Sequence, residues 1–417
     1  MFRFIHTADL HLDSPLRGLA SREGAPAEEL RGASRRALDQ LIELAKTESV
    51  DFVVIAGDVY DRDWKDYNTG LFFRSRLIRL KEAGILVFMI AGNHDAASVI
   101  SRKLSLPENV KYFSSRAAET VEPEAWPVAL HGMSFPNRAV DENLVPRYPA
   151  AVAGKFNIGI LHTSLAGNVG HDTYAPCTVE ELTAKGYDYW ALGHVHQPAV
   201  ICEKPWVIYP GNIQGRHVRE CGERGCRVVT VNDDLEVTDC VWQPLDVARW
   251  ASLAVDLTGI DSMDELRRLT RAALAEAVEK AGERLLAARM TYTGTTVLHG
   301  SLCSRPDRLD AEVEACAQDF GEGRVWIERV KQETRPVVSL ADLAARDGLT
   351  KVVVEALAEA RTGDGALPAE VVEMLGILPP DLADPMRSDW QGAGRQALME
   401  DACSMILERL TEKGAES

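Results

Sequence analysis

Five short segments of this 417-residue chain hold half of its ten histidines together with a set of carboxylates. They are Asp9-Leu10-His11, Gly57-Asp58, Gly92-Asn93-His94-Asp95, His162 and Gly193-His194-Val195-His196. Asp9 and His11 are two residues apart, as are His194 and His196, so on extended backbone each pair points to one side. Asp58 has two carboxylate oxygens and is able to join two ions. Asp9, His11, Asp58, Asn93, His162, His194 and His196 together offer two carboxylates, four imidazoles and an amide oxygen, with no thiolate. Such a donor set suits borderline-to-hard divalent ions such as Mn, Fe or Zn. The chemistry expected of it is metal-assisted.

Each segment follows an apolar run that reads as a strand. The runs Phe2–Thr7, Phe52–Ala56, Ile85–Ala91, Val128–His131, Asn157–His162, Tyr189–Leu192, Val207–Tyr209 and Arg227–Val231 alternate, at first, with helical patterns such as Arg31–Thr47 and Asn68–Ala83. That alternation predicts an α/β core whose site gathers at strand C-termini. From Val207 on, strands lie close together with Gly and Asn-Asp turns, as in antiparallel hairpins. Glycines before Asp58, Asn93 and His194 let the backbone turn and carry the next side chain to the sheet edge.

A domain boundary is expected near Gln243-Pro244-Leu245. Beyond it, strand Ser252–Asp256, helix Met263–Lys280, strand Leu286–Thr293, helix Asp307–Gln318 and strand Val325–Val330 form a βαβαβ pattern, the signature of a small α+β domain over 246–335. The region 336–417 reads as helical, with Leu398, Met405, Ile406 and Leu410 at helical spacing near its end. These apolar positions serve either packing within the chain or a partner.

The net charge is −17, and residues 246–417 carry 20 Lys+Arg against 31 Asp+Glu, so most of the excess lies there. The region 1–245 is therefore the more permissive toward phosphates, and bound cations would offset several of its acids. Eight scattered cysteines, with no CxxC pair, argue for reduced thiols and against a zinc ribbon. The sequence shows no apolar run of membrane-spanning length, and the opening residues Met1–His6 lack the pattern of a signal peptide. A soluble cytoplasmic protein without membrane association is the expectation.

The ordered motifs DxH, GD, GNHD, H and GHxH resemble the calcineurin-like metallophosphoesterase family. Thr7-Ala8-Asp9-Leu10-His11-Leu12-Asp13, Ala56-Gly57-Asp58-Val59-Tyr60-Asp61 and Tyr209-Pro210-Gly211-Asn212 narrow the likeness to SbcD-type DNA exonuclease subunits. Leu161-His162-Thr163, Tyr174-Ala175-Pro176-Cys177 and Gly211-Asn212-Ile213-Gln214-Gly215-Arg216-His217 are similar to the YhaO-like branch. The motifs cover residues 1–245; beyond them the resemblance rests on domain order.

The resemblance implies a metallophosphoesterase β-sandwich flanked by helices, then a capping domain over 246–335 and a helical docking element over 336–417. It implies one metal on Asp9, His11, Asp58 and His196 and a second on Asp58, Asn93, His162 and His194, with Mn2+ favoured over Fe2+ or Zn2+. His94 would protonate the leaving 3′ oxygen, its ring oriented by Asp95. Asp61 stands where some related nucleases have a second histidine. The implied partners are DNA, an SbcC-like coiled-coil ATPase and a second copy of the chain in a homodimer; the implied role is the nuclease subunit of a DNA repair complex.

Other residues are read beside these. Arg17, Arg62, Arg216, His217 and Arg219 flank the motif loops and are candidate DNA-backbone contacts; Lys65, Arg102 and Lys103 are weaker ones. His171, like His217, sits in a loop, and reaching the site or the DNA backbone and a structural role are equal alternatives for it. His6, His131 and His299 read as structural. Asp13 either holds His11 or closes a turn. Two other functions remain open, a phosphoesterase acting on small molecules or phosphoproteins and an inactive scaffold of the same fold.

Overall fold

The computed structural model describes residues 1–15, 26–61, 67–97, 105–165, 174–337 and Glu373. In chain order its elements begin with β1 (Phe2–Thr7), α1 (Ala27–Arg31), α2 (Ala33–Thr47), β2 (Phe52–Ile55), α3 (Tyr67–Glu82), β3 (Leu86–Met89), α4 (Asn93–Ala97), β4 (Val110–Tyr112), β5 (Glu119–Val121), β6 (Val128–Gly132) and β7 (Phe156–His162). They continue with α5 (Val179–Ala184), β8 (Tyr189–Gly193), β9 (Ala199–Glu203), β10 (Trp206–Tyr209), β11 (Gly225–Val231), β12 (Val237–Pro244), β13 (Ala248–Asp256), α6 (Met263–Ala281), β14 (Leu285–Thr295), α7 (His299–Ser304), α8 (Pro306–Gln318) and β15 (Val325–Arg335).

Two six-stranded sheets have the orders β12-β11-β1-β2-β3-β4 and β5-β6-β7-β8-β10-β9. Their central strands β1, β2 and β3, and β6, β7, β8 and β10, run parallel within each sheet. Such strands are buried on both faces and so read as unbroken apolar runs. Their alternate residues make two different cores. Phe2, Phe4, Phe52, Val54 and Phe88 meet Val128, Leu130, Phe156, Ile158, Ile160 and Tyr189 between the sheets. The opposite faces of β1–β3, through Ile5, Val53, Ile55, Val87 and Met89, pack on Ala37, Leu38, Leu41 and Ile42 of α2 and on Phe73, Leu77 and Leu80 of α3. On the outer side of the second sheet, Leu161, Trp190 and Leu192 pack with Tyr148 and Leu182. Each fully buried side chain of this kind contributes roughly 1.5–3 kcal/mol, and the product is a β-sandwich flanked by helices.

The expected strands are present, with ends moved by a few residues. Four that the pattern missed, β4, β5, β9 and β12, lie at or beside sheet edges. The single helix expected over Arg31–Thr47 is divided at Gly32. By compactness the chain separates into two units, one of residues 1–251 with 281–287 and one of 252–280 with the residues from 288 on. The described part of the second is drawn from the sheet β13-β14-β15 and helices α6–α8. The helices expected beyond Ser339 fall outside the described residues. No helix among the described residues is long and apolar enough to cross a membrane.

Candidate metal centre

The predicted ligands leave the C-terminal ends of β1, β2, β3, β7 and β8, brought side by side by the parallel pairing. The pairing of β1 with β2 is prolonged beyond the strands: Asp9 N donates to Gly57 O (3.0 Å), His11 N to Asp58 O (3.0 Å) and Leu12 N to Val59 O (2.9 Å). These bonds lay the Asp9-Leu10-His11 loop along the Asp58 loop. The backbone takes left-handed φ at Asp9 (52°), His11 (41°), Asp58 (55°) and His194 (102°). Such angles are uncommon away from glycine, cost energy, and concentrate at functional sites.

Three sets of ligand atoms lie within 4.8 Å of one another: those of Asp9, His11 and His196; of His11, Asp58 and His94; and of Asp9, Asp58 and His162. Asn93 Oδ1 is 2.9 Å from His162 Nε2. His194 is in none of the three sets, but its ring centroid is 5.3 Å from that of His162, and its backbone N–H donates to Asp9 Oδ2 at 3.0 Å. The seven expected ligands are thus gathered around Asp9 and Asp58.

Three glycines make room for them. A Cβ on Gly92 would meet Asp58 Oδ1 at 2.3 Å and His162 Cε1 at 2.7 Å. On Gly57, where φ is +94°, and on Gly193 it would meet His162 Nδ1 at 2.7 and 2.9 Å.

The electrostatics are those of a cation site. His11 Nε2 and His196 Nε2 face each other at 3.1 Å, a pair that requires a proton or a metal between lone pairs. His11 Nδ1 is buried without a hydrogen-bond partner among the described residues. Burial and the neighbouring Arg216 and His196 push the His11 imidazole well below its ordinary range. Burial acts the same way on His162, but the carboxylates of Asp58 and Asp9 outweigh it and raise the ring to about 9. Burial opposes ionisation of Asp58, yet His162 and His94 hold it below the usual carboxylate range. Buried acids and bases that demand positive charge, all with N or O donors, fit divalent metal ions.

The surrounding contacts assign supporting groups. His162 Nδ1 is held by Ala56 O at 2.9 Å, which leaves Nε2 to face the cluster. His196 Nδ1 is 2.7 Å from Glu220 Oε1, and Glu220 also accepts from Asn212 Nδ2 (3.0 Å) and Arg216 N (2.8 Å). Burial would raise the Glu220 carboxyl, but His196 and Arg216 hold it far below its usual range. His94 Nδ1 lies 2.9 Å from Asp61 Oδ1, and its backbone N–H donates to Asp58 Oδ1 at 2.9 Å. Asp61 also accepts from Ser14 Oγ at 2.6 Å; its carboxyl would be raised by burial but is lowered to about 2 by these bonds and Arg216.

Asp95, expected to orient the His94 ring, has its described hydrogen bonds with backbone amides. The Asp95 carboxylate takes the backbone N–H groups of Val59 (3.1 Å), Tyr60 (3.0 Å) and Gly92 (3.3 Å), joining the Asp58 loop to the Asn93 loop, and it is Asp61 that meets the ring. Asp13 ties its loop to two helices: Arg35 Nε of α2 donates to it at 2.7 Å, and Thr69 Oγ1 of α3 bonds it as well.

Of the expected DNA contacts, Arg216 is turned inward, with Nη2 3.0 Å from Glu220 Oε1 and Nη1 3.8 Å from Asp61 Oδ2. His217 and Arg219 are exposed. Arg17 and Arg62, with Lys65, Arg102, Lys103 and His171, lie outside the described residues. His6 is buried between Tyr189 Oη and Leu192 O, its imidazole lowered to about 3 by that burial. His131 stacks on Tyr187, and His299 is buried in α7. Glu220 was not anticipated, because nothing local in Arg216-His217-Val218-Arg219-Glu220 marks one acid as a histidine's partner.

A β-sandwich with these ligand loops at its strand ends defines a calcineurin-like phosphoesterase, and that family, Calcineurin-like phosphoesterase, matches residues 2–198. A second family, described as Metallophosphoesterase YhaO, middle domain, matches residues 250–335. The uncharacterized metallophosphoesterase YhaO of Bacillus subtilis (strain 168) is 35% identical over 347 residues, covering 82% of this chain and 84% of that protein. The chain belongs to the YhaO family of calcineurin-like metallophosphoesterases. The DNA double-strand break repair protein Mre11 of Methanopyrus kandleri is 31% identical over 213 residues, 47% of this chain and 45% of that protein. A dimetal phosphatase from Danio rerio matches 58% of this chain and 99% of its own at 12% identity, with a TM-score of 0.34.

Proposed function

We propose that this metallophosphoesterase is a DNA nuclease with a two-metal centre. The observation that carries the phosphoester chemistry is the convergence of Asp9, His11, Asp58, Asn93, His162, His194 and His196, with His94 against Asp61 at its edge. The likeness to a DNA double-strand break repair protein supports DNA as the substrate.

Asp9, His11, Asp58 and His196 would hold one ion, and Asp58, Asn93, His162 and His194 the other, with Mn2+ favoured by donor type and Fe2+ or Zn2+ the alternatives. When bound, two such ions supply Lewis-acid charge for the phosphoryl oxygens and a water of lowered pKa as the attacking group. The chain's own residues do the rest. Asp61 accepts from Nδ1 of His94, so when the ring is protonated its second proton is on Nε2, and that is the proton that passes to the leaving oxygen. Asp95 keeps the loops of Asp58 and Asn93 in register. Glu220 orients His196, as carboxylates behind metal-bound imidazoles do. Arg216, fixed between Glu220 and Asp61, is placed to meet phosphate oxygens; His217 and Arg219, with Arg17 and Arg62, would hold the DNA backbone without reading sequence.

Residues 1–245 would form the nuclease domain, 246–335 the added domain a polymeric substrate requires, and 336–417 the docking element for a coiled-coil ATPase of SbcC type. A homodimer and a place in DNA repair in the cytoplasm belong to the same reading. The test compares linear DNA, bis-p-nitrophenyl phosphate and cyclic nucleotides with added Mn2+. Cleavage of DNA that His94→Ala lowers by about 10²–10⁴ while bound metal is retained supports the proposal. Turnover confined to the small substrates would replace it with a small-molecule phosphoesterase, and undiminished DNA cleavage by the variant would remove His94 from the reaction.

A further inference from the structure

Residues 210–224 join β10 to β11 and carry Glu220, which stands behind His196. This loop is tied to residues 245–250, all within the first unit. Gln214 is buried and uses its whole carboxamide in the tie. Its Oε1 accepts from the backbone N–H of Val247 (2.9 Å) and of Ala248 (3.3 Å), and its Nε2 donates to Ala248 O (2.6 Å) and Gly215 O (3.0 Å). The side chain thus exchanges both kinds of bond with Ala248, as a residue of a neighbouring strand does. Gly215 O also accepts from Trp250 Nε1 at 3.0 Å. Trp250 is buried, and its own carbonyl accepts from Gly222 N at 3.0 Å.

From this anchor a short run of bonds leads to the imidazole. Gly215 precedes Arg216, whose backbone N–H donates to Glu220 Oε2 at 2.8 Å. Gln214 O accepts from Asn212 Nδ2 at 2.8 Å, and the same Nδ2 donates to Glu220 Oε2 at 3.0 Å. The other carboxylate oxygen, Oε1, meets His196 Nδ1 at 2.7 Å. The packing is close: a Cβ on Gly215 would meet Glu220 O at 2.8 Å and Trp250 Cδ1 at 3.0 Å.

We propose that Gln214 and Trp250 are positioning residues of the metal centre, acting through Glu220 on His196. The inference rests on the reading of His196 as a metal ligand. A carboxylate orients an imidazole only as well as it is itself held. Glu220 is held by Arg216 N and Asn212, and the backbone that presents both is fixed by one buried carboxamide and one indole. Without the Gln214 side chain, the amides of Val247 and Ala248 and the Ala248 carbonyl lose that partner, and buried groups so exposed drive the loop to rearrange. Arg216 moves with the loop, and its bond to Glu220 moves with it.

A double-mutant cycle on the full-length chain tests this by calorimetry with Mn2+, once circular dichroism shows each variant folded. Gln214→Met, similar in length and unable to make these bonds, should weaken Mn2+ binding about tenfold. Trp250→Phe removes the indole bond and keeps a ring, so the loss should be smaller, about threefold. A residue that acts through Glu220 adds little once that carboxylate is gone. Gln214→Met combined with Glu220→Gln should therefore bind Mn2+ within about twofold of Glu220→Gln alone. General loosening of the fold predicts instead the same loss in either background. Should Gln214→Met fail to fold, the same cycle with Trp250→Phe decides. An additive loss, or an affinity unchanged by both variants while Glu220→Gln weakens it, would overturn the proposal and leave the metal reading standing. An affinity untouched by Glu220→Gln itself would remove that reading and the proposal together.

Discussion

At the scale of single residues, the site works through pairs of groups rather than through ligands alone. Glu220 stands behind His196 at 2.7 Å and is itself fixed by Asn212 and Arg216. Glu220→Gln weakens that hold on the ring, and metal affinity should fall about 10–100-fold, measured by titration calorimetry with Mn2+. Asp61→Asn acts on a different link. The bond to His94 Nδ1 loses its charge, so kcat should fall while KM and metal content stay near wild type; loss of metal instead would make Asp61 part of the ligand frame. Protonation gives a third expectation. His162 is raised to about 9, so at neutral pH it carries a proton that a ligand nitrogen must lose. Metal binding should therefore release about one proton or more, and affinity should weaken by about tenfold for each unit of pH below 9. Calorimetry in two buffers of different ionisation enthalpy measures this, and an enthalpy independent of buffer would refute it.

At the scale of elements, tight loops at parallel strand ends do the positioning, and glycine is the residue that permits them. Gly92→Ala places a Cβ 2.3 Å from Asp58 Oδ1, so the Asp58 loop or the Asn93 loop must shift. Metal content should drop sharply and activity by at least about 100-fold, since small misplacements of reacting groups cost that much. Gly84 is the useful contrast. Its φ is +75° in the turn after α3, but a Cβ there meets nothing within 4 Å. Gly84→Ala should cost about 1 kcal/mol of stability in a denaturant titration and leave metal binding unchanged. The same scale shows where pattern reading succeeds. β1, β2, β3, β7 and β8 are apolar on both faces, so their runs stand out. β4 and β5 are three residues long and only half-buried, and β9 and β12 expose apolar residues such as Val200, Ile201 and Val241. Short edge strands carry too little apolar periodicity to be found locally. Gly32, between α1 and α2, still has helical hydrogen bonds, its N–H donating to Glu28 O at 2.9 Å and its carbonyl accepting from Arg36 N at 3.1 Å, so the division of the expected helix is slight.

For the whole molecule, metal and fold are linked. The ligand loops come from strands far apart in sequence, so binding of cations to the folded arrangement stabilises it over the unfolded chain. With Mn2+ at about 100 times its dissociation constant the gain is about 2.7 kcal/mol per site. Because the chain separates into two compact units, scanning calorimetry should show a transition that moves up with Mn2+ and down with chelator, beside one that does not move. A single transition shifting as one would mean that the units melt together.

Residue types and order alone determined that this is a metal-dependent hydrolytic chain. The donor chemistry is local to each motif, and glycine before a ligand is a local requirement of backbone geometry. The gathering of Asp9, His11, Asp58, Asn93, His162, His194 and His196 in one place was legible for that reason. What only the tertiary structure decided is which second group serves which imidazole. Asp61 meets His94 while Asp95 ties backbone amides, Glu220 meets His196 across 24 residues, and Arg216 is drawn inward by two carboxylates. These pairings depend on how loops from different strands pack against one another, and such packing leaves no trace in the spacing of any one segment.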